Sequence, residues 1–176
     1  MPHIHTAAGQ HDATTSAFIV HEERQAVLLH RHRKLGILLQ PGGHIELGEH
    51  PWQTMAHELD EETGYRLDQL SVLQAAPEIP GFVEVVHPVP LAYRTHGFPV
   101  APEPHFHTDA AYGFVTSEEP AGKPHEGESQ ELYWLTVDEL KAIPEDGVPS
   151  DARTIAIHLL GHLSDYRRVP ADSFAH

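Results

Sequence analysis

Three glutamates lying close together, Glu58, Glu61 and Glu62, have residue types and spacing that could bind a metal ion. Residues separated by three and four positions share one face of a helix. Carboxylates crowded on one face repel each other unless a cation neutralises them or they fan out into water. The spacing therefore indicates a divalent-metal site on a helix.

The residues around these glutamates resemble the Nudix box. That motif is a Gly, five residues, a Glu, seven residues, and then Arg-Glu-apolar-any-Glu-Glu-any-Gly-apolar. The matching positions in this chain are Gly43, Glu49, Glu58, Leu59, Glu61, Glu62, Gly64 and Tyr65. His57 occupies the Arg position and is the clear departure from the motif. The segment 43–65 is therefore similar to the box of Nudix hydrolases.

The resemblance implies a role for each metal-binding residue of the box. Glu58 and Glu62 would be the principal metal ligands, and Gly42 would contribute its backbone carbonyl. Glu61 would bind a further metal or its water and is a candidate general base. Oxygen ligands select hard cations, so the implied cofactor is Mg²⁺, with Mn²⁺ as a substitute.

The other box residues would support these ligands. Glu49 and Gly43 belong to this supporting set, and in the family Glu49 interacts with the Arg that His57 replaces here. Arg is always charged, whereas His is shorter and charged only part of the time. His57 could therefore weaken the site, or neighbouring carboxylates could keep it protonated. Many family members take another metal ligand from a later loop, and the candidates are Glu126, Glu128 and Glu131.

A second group of polar residues, His105, His107 and Asp109, alternates along a predicted strand and would share one face of it. These residues could bind a transition metal or a substrate phosphate, and we predict that they line the substrate cleft. Arg31 lies in the basic run 30–34, which could attract phosphates or form a solvated hairpin turn. Two further histidine pairs are interpreted as solvated or weak metal sites: His3 with His5, and His30 with His32.

Composition limits the class of protein. The 176 residues carry a formal charge of -15 and only 11 Lys and Arg, which argues against non-specific binding to nucleic acid. No cysteine is present, so disulfides and thiolate zinc sites are excluded. No apolar run approaches the length of a membrane span. These features predict a cytoplasmic protein without membrane contact, and the resemblance adds the expectation of a homodimer.

The sequence also predicts the helices and strands that must position the glutamates. Pro51 and Gly64 mark the two ends of a helix, with an apolar stripe of Trp52, Met55, Ala56 and Leu59, so its glutamate face is expected to point outward over the glycine loop. Strands are predicted at 15–20, 25–30, 35–39, 70–75, 82–86, 91–95, 106–115 and 132–135. Two C-terminal helices would begin at Thr136 or Asp138 and at Ser150 or Asp151.

This order predicts a mixed β-sheet between helices, an α+β class that agrees with the Nudix αβα sandwich. Residues 1–13 are expected to form a flexible arm, and residues 14–176 a single domain. The function implied is metal-dependent hydrolysis of a phosphoanhydride in a nucleotide sugar, dinucleotide or nucleoside triphosphate. Pro80, fifteen residues after the box, is similar to a feature of ADP-ribose pyrophosphatases. The alternative is a non-catalytic Nudix-like module that binds a nucleotide.

Overall fold

The computed structural model describes residues 9–75, 87–98 and 105–174, which form a mixed sheet with helices on both faces. Its strands are β1 (His11–His21), β2 (Ala26–Arg31), β3 (Leu38–Leu39), β4 (Gly42–His44), β5 (Ser71–Gln74), β6 (Ala92–Phe98), β7 (His105–Thr116), β8 (Leu132–Leu135) and β9 (Arg167–Pro170). Its helices are α1 (Pro51–Thr63), α2 (Val137–Ala142) and α3 (Ser150–His162). The predicted αβα sandwich with a mixed sheet is confirmed. None of the helices in these ranges is long and apolar enough to cross a bilayer.

Strand β1 is the centre of the sheet. It pairs in parallel with β7 and antiparallel with β2 and β4. The main strand order is β3-β2-β1-β7-β5-β9, while β4, β6 and β8 pair with β1, β7 and β2. In the β1–β4 register, Thr14, Thr15 and Ser16 lie opposite His44, Gly43 and Gly42 respectively. The glycine segment of the motif is therefore held directly against the central strand.

Two apolar cores lie on opposite sides of this sheet, because alternate residues of a strand point to opposite faces. The core between the sheet and α1 includes Ile19, Trp52, Met55, Leu59 and Phe114. The core between the sheet and the C-terminal helices includes Phe18, Ala111, Leu140, Ala156 and Leu159. We call these two sides the α1 face and the α3 face.

Helix α1 is fixed at both ends. Pro51 is at its start, and the His50 side chain accepts a hydrogen bond from the Gln53 backbone N–H at 3.2 Å. At its end, Gly64 adopts a left-handed conformation with φ of 75°, and a Cβ there would overlap the backbone of Gly122. The apolar stripe predicted for this helix is confirmed for three residues. Trp52 is 2% exposed, and Met55 and Leu59 are fully buried.

The structure differs from the predictions in several elements. β1 begins at His11, inside the segment predicted as an arm, because it pairs with β7 from His11 opposite Phe106 onward. β3 is shorter than the predicted strand 35–39, since residues 33–35 form a turn. β4 and β9 are short strands that were not predicted. The predicted strand 82–86, Pro80, and residues 1–8 of the arm lie outside the described residues.

Candidate active site

Two of the predicted metal ligands are buried between α1 and the glycine segment. Glu58 is 4% exposed and Glu62 is 8% exposed. The Gly42 backbone N–H donates to Glu62 Oε2 at 2.8 Å, and a Cβ at Gly43 would overlap the Glu58 carboxylate. The absence of a side chain at position 43 is therefore what admits Glu58. Glu58 and Glu62 lie over the glycine loop as expected, but they are buried instead of pointing outward, whereas Glu61 is exposed.

The two buried carboxyls are held in an environment that disfavours their ionised forms. Burial raises the pKa of Glu58 to about 7, and the charges of Glu61, Glu128 and Glu49 contribute in the same direction. Burial, followed by the charge of Glu58, raises the pKa of Glu62 well above its ordinary value. Within the described part of the chain, Glu58 Oε1 is buried without a hydrogen-bond partner. This arrangement fits a divalent cation, which would favour both ionised carboxylates and use the unpartnered oxygen.

The loop that follows β7 is attached to the C-terminal end of α1. The Gly122 N–H donates to the Gly64 carbonyl at 2.9 Å, and the His125 N–H donates to the Glu61 carbonyl at 2.8 Å. The His125 Nε2 atom also lies 3.2 Å from Asp60 Oδ2. These contacts bring the loop toward the carboxylate pair.

The attached loop contains the three candidates for an additional metal ligand. Glu128 is half-buried, and its charge contributes to the raised pKa values of both Glu58 and Glu62. Glu126 and Glu131 are exposed, and Glu131 Oε2 lies 3.1 Å from Arg31 Nε. Proximity to the buried pair therefore ranks Glu128 first, an order that the sequence did not provide.

His57 contacts Glu49, the box glutamate that an Arg at position 57 would contact in the family. His57 Nδ1 lies 2.8 Å from Glu49 Oε1, while the Thr54 hydroxyl donates to Glu49 Oε2 at 2.7 Å. Both oxygens of Glu49 are thus engaged at the start of α1. One imidazole nitrogen makes a single contact here, where a guanidinium could fork two hydrogen bonds.

His30 is a neighbour of the site, although the sequence predicted that it is either solvated or part of a weak metal site. It is 3% exposed, and its Nε2 atom lies 3.9 Å from Glu62 Oε2. Burial, followed by the charge of His32, lowers the pKa of His30 to about 4, so His30 is neutral at pH 7 and forms no ion pair with Glu62. The interpretation of His30 as solvated is wrong, and its place at the end of the apolar run 26–29 was the available signal.

The predicted substrate-binding residues lie away from the buried glutamates. His105, His107 and Asp109 alternate along β7 with the same parity as Ala111, which puts them on the α3 face. Asp109 Oδ1 accepts hydrogen bonds from Thr14 and Ser16, and Oδ2 from Arg94 at 2.9 Å.

Arg31 ends β2 at the protein surface. Its guanidinium donates to Glu131 Oε2 at 3.1 Å and to the Gly36 carbonyl at 2.8 Å. The structure thus brings the box residues together, and places Arg31 in a separate surface network.

A family model described as NUDIX domain matches residues 10–156. A methanol dehydrogenase activator of Bacillus methanolicus is 28% identical over 155 residues, covering 86% of this chain and 73% of that protein. An ADP-ribose pyrophosphatase of Bacillus subtilis (strain 168) is 34% identical over 82 residues, covering 44% of each chain. The crystal structure of a NUDIX-family hydrolase from Clostridium perfringens is 28% identical with a TM-score of 0.67, covering 86% of this chain and 97% of that one.

The raised pKa values predict an unusual dependence of stability on pH. Protonation of Glu58 stabilises the fold; this contribution is complete below its ordinary pKa of 4.5 and is lost as the pH rises through about 7. Without divalent metal, the wild type should lose on the order of 3 kcal/mol more unfolding free energy than Glu58→Gln over this range. Denaturant unfolding with chelator at pH 5 and pH 8 measures the difference.

The control for this experiment is Glu126→Gln, which removes an exposed carboxylate from the nearby loop. Its unfolding free energy should change between pH 5 and pH 8 by the same amount as that of the wild type. Equal losses in the wild type and in Glu58→Gln would contradict the buried-carboxyl explanation.

Proposed function

The chain belongs to the NUDIX family and is a Nudix-type hydrolase of phosphorus-containing acid anhydrides, and on that premise we propose that it is a divalent-metal-dependent pyrophosphohydrolase. The proposed bond is a phosphoanhydride within a nucleoside diphosphate that is linked to another moiety. The observation that carries the proposal is the buried pair Glu58 and Glu62 against the Gly42–Gly43 segment. Two adjacent carboxyls with raised pKa values become favourable as anions when a cation lies between them.

Each box residue has a separate task in this mechanism. Glu58 and Glu62 would hold Mg²⁺ or Mn²⁺ and give up their protons on doing so, with the Gly42 carbonyl as a further oxygen. When bound, the metal would neutralise phosphate charge and lower the pKa of the attacking water. Glu61 is exposed one position before Glu62 and is the candidate to accept the proton of that water. Glu49 orients the first turn of α1 through Thr54 and His57.

The substrate proposed is a small phosphorylated molecule. The relative that is 34% identical is an ADP-ribose pyrophosphatase, so ADP-ribose heads the set of candidates. With a formal charge of -15, the chain needs bound cations to attract the phosphates. His105, His107, Asp109 and Arg31 stay predictions as substrate-binding residues, as do a cytoplasmic location and a homodimer.

A second candidate function is nucleotide binding without turnover. It is favoured by His57 at the Arg position, and by the relative that is a methanol dehydrogenase activator. Substrate turnover separates the two candidates, because a regulatory module would bind a nucleotide saturably and release no product.

Hydrolysis should depend on both divalent metal and Glu62. We expect ADP-ribose and related diphosphates to be cleaved with Mg²⁺ or Mn²⁺, and chelator to abolish cleavage. Glu62→Gln should lower kcat by about 10²-fold or more, because it removes a ligand of the metal that would stabilise the developing charge. Release of AMP and phosphomonoester from a panel of nucleotides is the measurement.

Glu145→Gln is the matched control, since Glu145 is an exposed glutamate outside the box. It should retain wild-type turnover. Saturable binding with no turnover of any panel member would move the assignment to the regulatory module, and full activity in Glu62→Gln would remove the proposed metal role.

Restoring the family's Arg at position 57 should raise the catalytic efficiency. In His57→Arg, a permanently charged guanidinium would replace the imidazole beside Glu49. We expect kcat/KM at pH 8 to rise roughly two- to tenfold, a gain below about 1.4 kcal/mol. His57→Gln, which has no charge, should not show the gain. An unchanged kcat/KM in His57→Arg would mean that the single His57–Glu49 contact already suffices.

Glu128 should matter more than its loop neighbours. If Glu128 is the additional ligand, Glu128→Gln raises the Mg²⁺ concentration for half-maximal activity by about tenfold or more. Glu126→Gln, an exposed change in the same loop, should leave it unaltered. Metal titrations of initial rate compare the two variants. If both variants raise the required Mg²⁺ concentration equally, Glu128 contributes only negative charge and is not a metal ligand.

A further inference from the structure

A second group of ligand-type side chains lies apart from the box. Asp12, His105 and His107 each present a ligand atom, and these atoms all lie within 4.8 Å of one another. The three residues are 1%, 1% and 8% exposed. Two imidazoles and one carboxylate are a donor set suited to Zn²⁺ and related transition metals, unlike the all-oxygen set of the box.

This group is on the opposite side of the sheet from the buried glutamates. Asp12 has the same parity along β1 as Phe18, and His107 the same parity along β7 as Ala111. Phe18 and Ala111 both belong to the core of the α3 face. The box glutamates approach from the α1 face. The two groups are therefore separate sites on opposite faces of the sheet.

Two more histidines border the same three residues. His44 Nε2 lies 3.6 Å from Asp12 Oδ2, and the ring centroids of His44 and His107 are 4.9 Å apart. The rings of His96 and His107 are 5.4 Å apart, and in the described part of the chain His96 Nδ1 is buried without a hydrogen-bond partner. Imidazoles from β4 and β7 thus converge on the Asp12 carboxylate, and His96 of β6 contacts His107.

The spacing is close to that of a formed metal site. Ligand atoms about 2.1 Å from a tetrahedral ion are roughly 3.4 Å apart. The ligand atoms of Asp12, His105 and His107 all lie within 4.8 Å of one another, so small side-chain rotations would complete the coordination. The formal charge of -15 also favours uptake of a cation.

We propose that Asp12, His105 and His107, with His44 as the fourth ligand, form a transition-metal site of the Zn²⁺ type. The ion would join β1, β4 and β7. β4 also carries Gly42 and Gly43, so occupancy of this site would fix the segment that receives Glu58 and Glu62. The site is distinct from the Mg²⁺ site of the proposed hydrolase and does not depend on it.

The test is direct metal binding by the whole chain. Chelator-treated protein is titrated with Co²⁺ and followed by visible absorption, and Zn²⁺ is then added to displace the Co²⁺. We expect one equivalent of Co²⁺ with the intense bands of a four-coordinate ion. Asp12→Asn and His107→Gln should each lower the affinity by at least about tenfold, the minimum that outer partners alone contribute.

Two double variants separate this site from the alternatives. Glu58→Gln with Glu62→Gln removes the box carboxylates and should leave the Co²⁺ bands intact. His158→Gln with His162→Gln removes an exposed histidine pair on α3, whose rings stack at 4.4 Å, and should also leave them intact. Loss of binding in either double variant would overturn the proposal, as would undiminished binding in His107→Gln.

Folding of the variants needs its own control because Asp12 and His107 are buried. Circular dichroism identifies a variant that has not folded. In that case, X-ray absorption of the Zn²⁺-loaded wild type tests the ligands instead of the variant. Imidazole scattering from two or three ligands would support the site. A shell of oxygen atoms only, or failure of the wild type to take up stoichiometric Zn²⁺, would overturn it. No readout uses hydrolysis, so a failure here is distinguishable from a failure of the proposed function.

Discussion

The structure depends on the burial of two adjacent carboxyls, Glu58 and Glu62, between α1 and the glycine segment. Such burial is costly for ionised groups, and proteins meet the cost with a proton, a counter-charge or a metal. The nearby His30 supplies no counter-charge, because burial keeps it neutral. A proton on each carboxyl or a shared cation would meet the cost of burying this pair. Their placement by the helix is what supports the proposal of a metal site.

Helix α1 can carry that cost because its other face is well packed. Trp52, Met55 and Leu59 are almost fully buried against the sheet, and each such side chain contributes roughly 1.5–3 kcal/mol. The backbone at two glycines also helps to position the helix and its glutamates. Gly43 leaves room for Glu58, and Gly64 allows the chain to turn directly into contact with Gly122. Packing, backbone shape and charge thus support one arrangement.

The sequence was sufficient for local features and insufficient for long-range ones. The helix limits at Pro51 and Gly64 follow from local chemistry, as do the box glutamates. The burial of Glu58 and Glu62 does not, because helical periodicity identifies an apolar stripe but cannot tell whether the opposite side meets solvent or another strand. β4 was missed for the same reason, since a strand of three residues is defined only by its partner β1.

The short strand β4 contributes to both proposed ion sites, one on each face of the sheet. Successive residues of a strand point to opposite faces, so Gly43 faces Glu58 while His44 faces Asp12. Because Thr15 and Thr14 of β1 lie opposite these two residues, a shift of register by one residue would exchange the faces and destroy both arrangements. The carboxylate pair and the histidine group are therefore tied to one β1–β4 register, so any change that moves β4 would alter both.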